Sequence, residues 1–210
     1  MRELLGAIAR LKAGEVGELV RSRMGSFRAI GRAGGDGIFK ELCFCLLTAN
    51  YTSDGGIRIQ RAIGDGFLSL PEKELAMELK KLGHRFPNAR ARYIAAARRH
   101  ITTLHHLLRT EGSDLRLREW LSGNILGLGY KESSHFLRNI GREGLAIIDF
   151  HIIDVLARHN LILKPKSKSL TRKKYLEIEQ VLAGIADRCG MSQGELDLYL
   201  WYLETGKVLK

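Results

Sequence analysis

The sequence predicts an all-α protein made of two helical subdomains with a cleft between them. Three observations carry the all-α assignment. Apolar residues recur at helical spacing through most of the chain, and strand-like alternation is scarce. Only three prolines occur, Pro71, Pro87 and Pro165, and each falls between periodic stretches. Capping residues stand where several of those stretches begin and end.

The first helix is read over Arg2–Leu11, and "GRAGGDG" (Gly31–Gly37) as a glycine-rich connector. The apolar run behind it predicts a helix over Gly37–Thr48, followed by Gly55–Ile63. Glu72–Leu82 follows Pro71 and ends at Gly83; Asn88–Leu108 follows Pro87, with Asn88 able to cap it. Ser113 or Asp114 can cap Asp114–Ser122, whose apolar face is Leu117, Trp120 and Leu121. Lys131–Ile140 and Phe150–His159 come next. The basic loop "KPKSKSLTRKK" (Lys164–Lys174) leads into Arg172–Cys189. Gln193–Thr205 is closed by Gly206 as a left-handed residue. No internal repeat is visible. Residues 1–48 with 149–210 are read as a terminal subdomain, and 49–148 as the subdomain carrying the hairpin.

The 210 residues suffice to bury a core. Lys and Arg number 34 against 23 Asp and Glu, a formal charge of +11, which favours a polyanion such as nucleic acid. No apolar run approaches the roughly 20 residues of a membrane span, and the first ten residues lack a signal-peptide core. The expectation is a cytoplasmic, monomeric chain with no membrane partner. Cys43, Cys45 and Cys189 make no staple pattern, and the first two lie inside an apolar run as buried thiols. The seven histidines show no metal-ligand spacing.

"ILGLGYKESSHFLRNIG" (Ile125–Gly141) carries the chemistry. It joins two helices by a turn with Gly127 and Gly129, a helix–hairpin–helix. Glycine there lets the backbone turn tightly and come close to a partner. Exposed N–H groups and the following helix N-terminus offer a site for a DNA phosphate, gripped without reading sequence. Lys131 comes immediately after. It is either one more phosphate contact or a nucleophile. A free lysine has a pKa of roughly 10.4 and must lose its proton to attack; burial and the positive end of a helix both favour that loss. An amine beside DNA suggests attack at the sugar C1′, a Schiff base and β-elimination, with a carboxylate nearby for the cationic C1′ centre. Eighteen residues on, Asp149 follows an apolar triplet and opens a helix. It can act as an N-cap, worth about 1 kcal/mol, with its second oxygen toward the cleft. Asp154 is the weaker candidate and is expected to face solvent or an ion-pair partner.

"LGLGYK" and "IDFH" resemble the helix–hairpin–helix DNA glycosylases. "FCLLTANYTSDGGI" (Phe44–Ile57), "GHRFPNARARYI" (Gly83–Ile94) and "DLYLWYLETGKVLK" (Asp197–Lys210) are similar to the archaeal-type 8-oxoguanine DNA glycosylase/AP lyases. The resemblance covers most of the chain. It implies Lys131 as nucleophile and Asp149 as the group that helps deprotonate it and stabilises the C1′ cation. It implies no cofactor: superfamily members with an iron–sulfur cluster hold it on four C-terminal cysteines, and only Cys189 stands there. The implied partner is double-stranded DNA containing oxidised guanine.

A flipped purine needs flat walls and a few polar contacts. The last helix has a core stripe of Leu196, Tyr199, Leu200 and Leu203, from which Trp201 points away at about 100° per residue. Its indole is either a packing contact or a stacking platform; the resemblance implies stacking. Phe86 is by position a packing aromatic and by resemblance the second wall. Lys210 is by resemblance the determinant for 8-oxoguanine. Oxidation puts a proton on N7, which the terminal carboxylate can accept while its side chain pairs nearby. Asn50 is either a helix-end cap or the amide that fills the gap left by the extruded base. Arg85 is expected against the opposite strand, and His151 behind the site or on a phosphate. Arg90, Arg92, Arg98 and Arg99 serve as phosphate contacts or as a solvated helix face. The rival readings are a glycosylase for another damaged purine and a non-catalytic helix–hairpin–helix DNA-binding module.

Overall fold

The computed structural model describes residues 1–167 and 170–210; Lys168 and Ser169, within the expected basic loop, lie outside them. The described residues form helices α1 (Arg2–Ala13), α2 (Glu15–Ala33), α3 (Asp36–Thr48), α4 (Ser53–Ile63), α5 (Gly66–Ser69), α6 (Glu72–Lys81) and α7 (Pro87–Ala97). A 3-10 turn (Arg98–His100) leads to α8 (Ile101–Thr110), α9 (Asp114–Asn124), α10 (Tyr130–Asn139), α11 (Phe150–Arg158), α12 (Arg172–Cys189) and α13 (Gln193–Thr205). None of the described helices is long and apolar enough to cross a membrane.

The structure departs from the sequence reading at several points, while Asp154 finds the ion-pair partner expected of it. Helix α2 was not anticipated, although Val20, Met24 and Phe27 bury one face at helical spacing. The glycine connector shrinks to Gly34 and Gly35, both at positive φ. The single helix expected over Asn88–Leu108 tightens at Arg98–His100, where the Arg98 guanidinium donates to the Phe67 carbonyl at 2.8 Å and the Gly66 carbonyl at 3.4 Å. Helix α7 starts at Pro87, so Asn88 lies inside its first turn and does not cap it. Leu203, expected in the core stripe of α13, is exposed. Asp154 pairs with Lys164.

Two apolar cores organise the molecule. One runs from Ile38 to Leu145 and is centred on α3, whose apolar residues surround the helix axis and are buried on every side. The other joins α1 and α2 to Ala146, Ile148 and the helices α11, α12 and α13. Helix α3, which the sequence reading grouped with the terminal subdomain, therefore buries its side chains with the hairpin. A buried ion pair joins the two regions. Arg118 of α9 donates to both Glu179 oxygens of α12, at 2.5 and 2.8 Å, and lies over the Tyr130 and Tyr175 rings. Glu179 also accepts from the Ala146 N–H at 3.1 Å, where the chain crosses from one core to the other.

Candidate active site

Ser113 caps α9 by accepting from the Arg116 N–H, and the chain leaves that helix at Ile125. Gly127 then turns it at φ +91°, a conformation other residues rarely adopt. A Cβ there would also meet the Tyr93 ring at 2.4 Å, so the hairpin packs directly against α7. Gly129 differs from what the sequence reading asked of it. Its backbone is extended, at φ −97°, and a Cβ would meet only the Glu132 carboxylate, at 3.3 Å. The Gly129 N–H donates to that carboxylate, which supports the helix N-terminus from within.

Lys131 is the second residue of α10 and is half-buried. Asp149 caps α11: its Oδ1 accepts from the Ile152 N–H at 3.0 Å, which realises the expected cap. The charges of both residues reach the buried Asp197 carboxyl of α13. Burial pushes the Asp197 carboxyl up to about 6; Arg138, in contact at 2.8 Å, pulls it back, the Asp149 charge pushes it further up, and Lys131 opposes it.

Trp201 and His151 meet edge to face, with ring centres 4.7 Å apart, and His151 lies against Phe150 at 4.1 Å. The indole is half-buried, and its Nε1 has no hydrogen-bond partner among the described residues. Phe86 is exposed in the loop before α7, its ring centre 5.0 Å from the Arg85 guanidinium and 5.9 Å from that of Arg90. His84 holds that loop. Its Nδ1 accepts from the Phe86 N–H at 3.0 Å, so Nε2 carries the proton and donates to the Leu47 carbonyl at the end of α3. Burial lowers the His84 pKa and keeps the ring neutral. Arg90 donates to the Ala49 carbonyl, and Asn50 follows at φ +58° with its side chain exposed. The end of α3 thus brings Asn50, Arg85 and Phe86 to one place.

Lys210 is tied down rather than frayed. Its ammonium donates to Glu41 at 2.8 Å and Gln60 at 2.5 Å and lies 4.3 Å from the Phe44 ring centre. His135, one helical turn beyond Lys131, makes a main-chain hydrogen bond to Lys210. Burial pushes the His135 imidazole well down, and Arg138, Lys131 and Lys210 push the same way, so it is neutral. Lys131 and Lys210 therefore share one neighbour.

A family model described as 8-oxoguanine DNA glycosylase matches residues 20–191. The chain belongs to that family. An 8-oxoguanine DNA glycosylase/AP lyase of Korarchaeum cryptofilum is 50% identical over 208 residues, covering 99% of this chain and 98% of its own. The crystal structure of the Methanocaldococcus jannaschii 8-oxoguanine DNA glycosylase matches with a TM-score of 0.94 at 48% identity, covering 100% of this chain and 97% of that one. The Methanocaldococcus jannaschii enzyme in complex with a 15mer DNA containing 8-oxoguanine matches with the same score and identity, covering 99% and 100%.

For this 8-oxoguanine DNA glycosylase family member, the sequence reading did not anticipate Glu41, Gln60, His135, Arg138 or Asp197. Two of them left a trace. Glu41 is an acid inside the apolar run Ile38–Leu47, and Asp197 stands between apolar neighbours on α13. Buried charges of this kind are kept only with partners, and the partners lie far away in sequence.

Proposed function

We propose that the protein is a bifunctional DNA glycosylase/AP lyase that excises 8-oxoguanine through a Schiff base on Lys131. The observation that carries this reading is a lysine opening the helix after a glycine hairpin together with a helix-capping aspartate, Asp149, the charges of both reaching one buried carboxyl, that of Asp197. In the reaction the neutral Lys131 amine attacks C1′ as the C1′–N9 bond breaks. The base leaves with the bonding electrons and takes up a proton, and Asp149 stabilises the positive charge that develops at C1′. Loss of the second amine proton and ring opening give the Schiff base. Removal of a C2′ proton then expels the 3′ phosphate and cuts the strand.

The remaining roles are those that the resemblance implies. Gly127 and Gly129 bring the hairpin backbone against a phosphate, and the +11 charge supplies salt-sensitive affinity. Phe86 and Trp201 are the two walls of the base pocket, and Lys210 reads the oxidised edge. Asn50 fills the gap in the duplex, Arg85 meets the opposite strand, and His151 supports Trp201 beside a phosphate. The protein works on DNA in the cytoplasm as a monomer, without metal or organic cofactor.

Borohydride trapping on duplex DNA carrying 8-oxoguanine tests this directly. The wild-type chain should become covalently attached. Lys131→Gln should lower trapping by at least about a thousandfold while leaving DNA binding in place. Efficient trapping by that variant would move the nucleophile elsewhere. Equal base release from a panel of other damaged purines would change the substrate.

A further inference from the structure

We propose that Glu41 is a positioning residue for lesion recognition, fixing where Lys210 stands against an everted base. This deepens the glycosylase reading and rests on it. The Lys210 ammonium has three hydrogens to place. Glu41 and Gln60 accept at 2.8 and 2.5 Å, and the Phe44 face takes the remaining side at 4.3 Å. Glu41 is 2% exposed, so its charge depends on these partners.

The same carboxylate lies where several elements meet. Its Oε1 accepts from Asn139 of α10 at 2.7 Å, and its Oε2 also accepts from Gln60 of α4 at 3.3 Å. Gln60 is fixed in turn by donating to the Lys40 carbonyl of α3 at 2.9 Å. From Asn139 the chain of contacts continues through Arg138 at 2.9 Å to Asp197 at 2.8 Å, whose carboxyl feels the charges of Lys131 and Asp149. Meanwhile the Lys210 main chain is bonded to His135, on the same face of α10 as Lys131. A buried ion pair that only tied down a chain end would not need to share its neighbours with the nucleophile. Here the anchored residue and Lys131 are held in one network, so moving Glu41 moves Lys210 relative to the reacting sugar.

The test compares release of 8-oxoguanine with release of guanine under single-turnover conditions, alongside trapping on DNA with a preformed abasic site, which presents no base to read. Glu41→Gln should lower the ratio of 8-oxoguanine to guanine release roughly tenfold while abasic-site trapping stays within about twofold. Glu41→Asp should keep more of the ratio than Glu41→Gln. Adding Lys210→Gln to Glu41→Gln should cost no more than Lys210→Gln alone, because both act through one contact. An unchanged ratio, an equal loss in both assays, or effects that multiply in the double variant would overturn the proposal. If Glu41→Gln fails to fold, Gln60→Ala on the half-buried face of α4 carries the same comparison with an expected loss of about threefold. A wild-type chain that does not prefer 8-oxoguanine would overturn the glycosylase reading and this proposal together. That outcome is visible in the reference reaction before any variant is read.

Discussion

Lys131 and Lys210 bear on the same buried imidazole, yet they are held in different ways. The elements that set the hairpin before Lys131 lie close by in the chain: the Ser113 cap, the turn at Gly127, and the Glu132 carboxylate on the Gly129 N–H. Lys210 is held by Gln60 and Glu41, 150 and 169 residues away. The first arrangement is a local motif whose geometry follows from neighbouring residues. The second exists only once both cores have formed and the last helix has docked. A local motif tolerates change elsewhere in the chain, whereas a contact spanning the chain reports on the integrity of the whole fold.

Breaking the junction between the two regions should have the largest effect. Glu179→Gln leaves the Arg118 guanidinium buried without its counter-charge, and its stability loss in urea titration should be about 3–5 kcal/mol. A small loss would mean that the two cores are joined chiefly by apolar packing. The local motif is challenged next by Gly127→Ala, which combines positive φ with a Cβ 2.4 Å from the Tyr93 ring. It should cost about 2–4 kcal/mol and weaken DNA binding, whereas Gly129→Ala, with only the end of the Glu132 side chain in its way, should cost less than about 1 kcal/mol. Equal effects at the two glycines would remove the distinction drawn between them.

A pH-dependent effect probes the meeting point of the regions. Asp197 ionises at about 6 in the folded chain, against an ordinary value of 3.8. A raised acid favours the fold while protonated, so its contribution is complete below pH 3.8 and disappears as pH rises through about 6. Unfolding measured across that range should therefore show wild type losing about 1–3 kcal/mol relative to Asp197→Asn. A difference independent of pH would show that Arg138 keeps the carboxylate ionised throughout.

The legibility of the chain follows the same division. The hairpin, the Asp149 cap and the closure of α13 by Gly206 could be read because each depends on residues within a few positions. Helix α2 was obscured by the glycines at 17, 25 and 31, although its apolar spacing was present. The tightened turn at Arg98 depends on carbonyls 31 and 32 residues upstream. Glu41 and Asp197 were visible as acids in apolar surroundings, but nothing in the sequence paired them with Lys210 and Arg138. Trp201 was legible as an aromatic out of step with its helix, whereas Phe86 read by position as packing and is exposed; their surroundings depend on His151 and His84, whose partners are set by the fold.

The thiols have a chemical consequence of their own. Cys43 and Cys45 are sealed inside α3 with pKa values pushed well up by burial, and burial raises Cys189 as well. Peroxides and related oxidants attack cysteine sulfur mainly as thiolate. Under the stress that turns guanine into 8-oxoguanine, the three thiols of this chain stay largely protonated and react slowly. Thiol oxidation is thus a slow route to inactivation in the conditions that produce 8-oxoguanine.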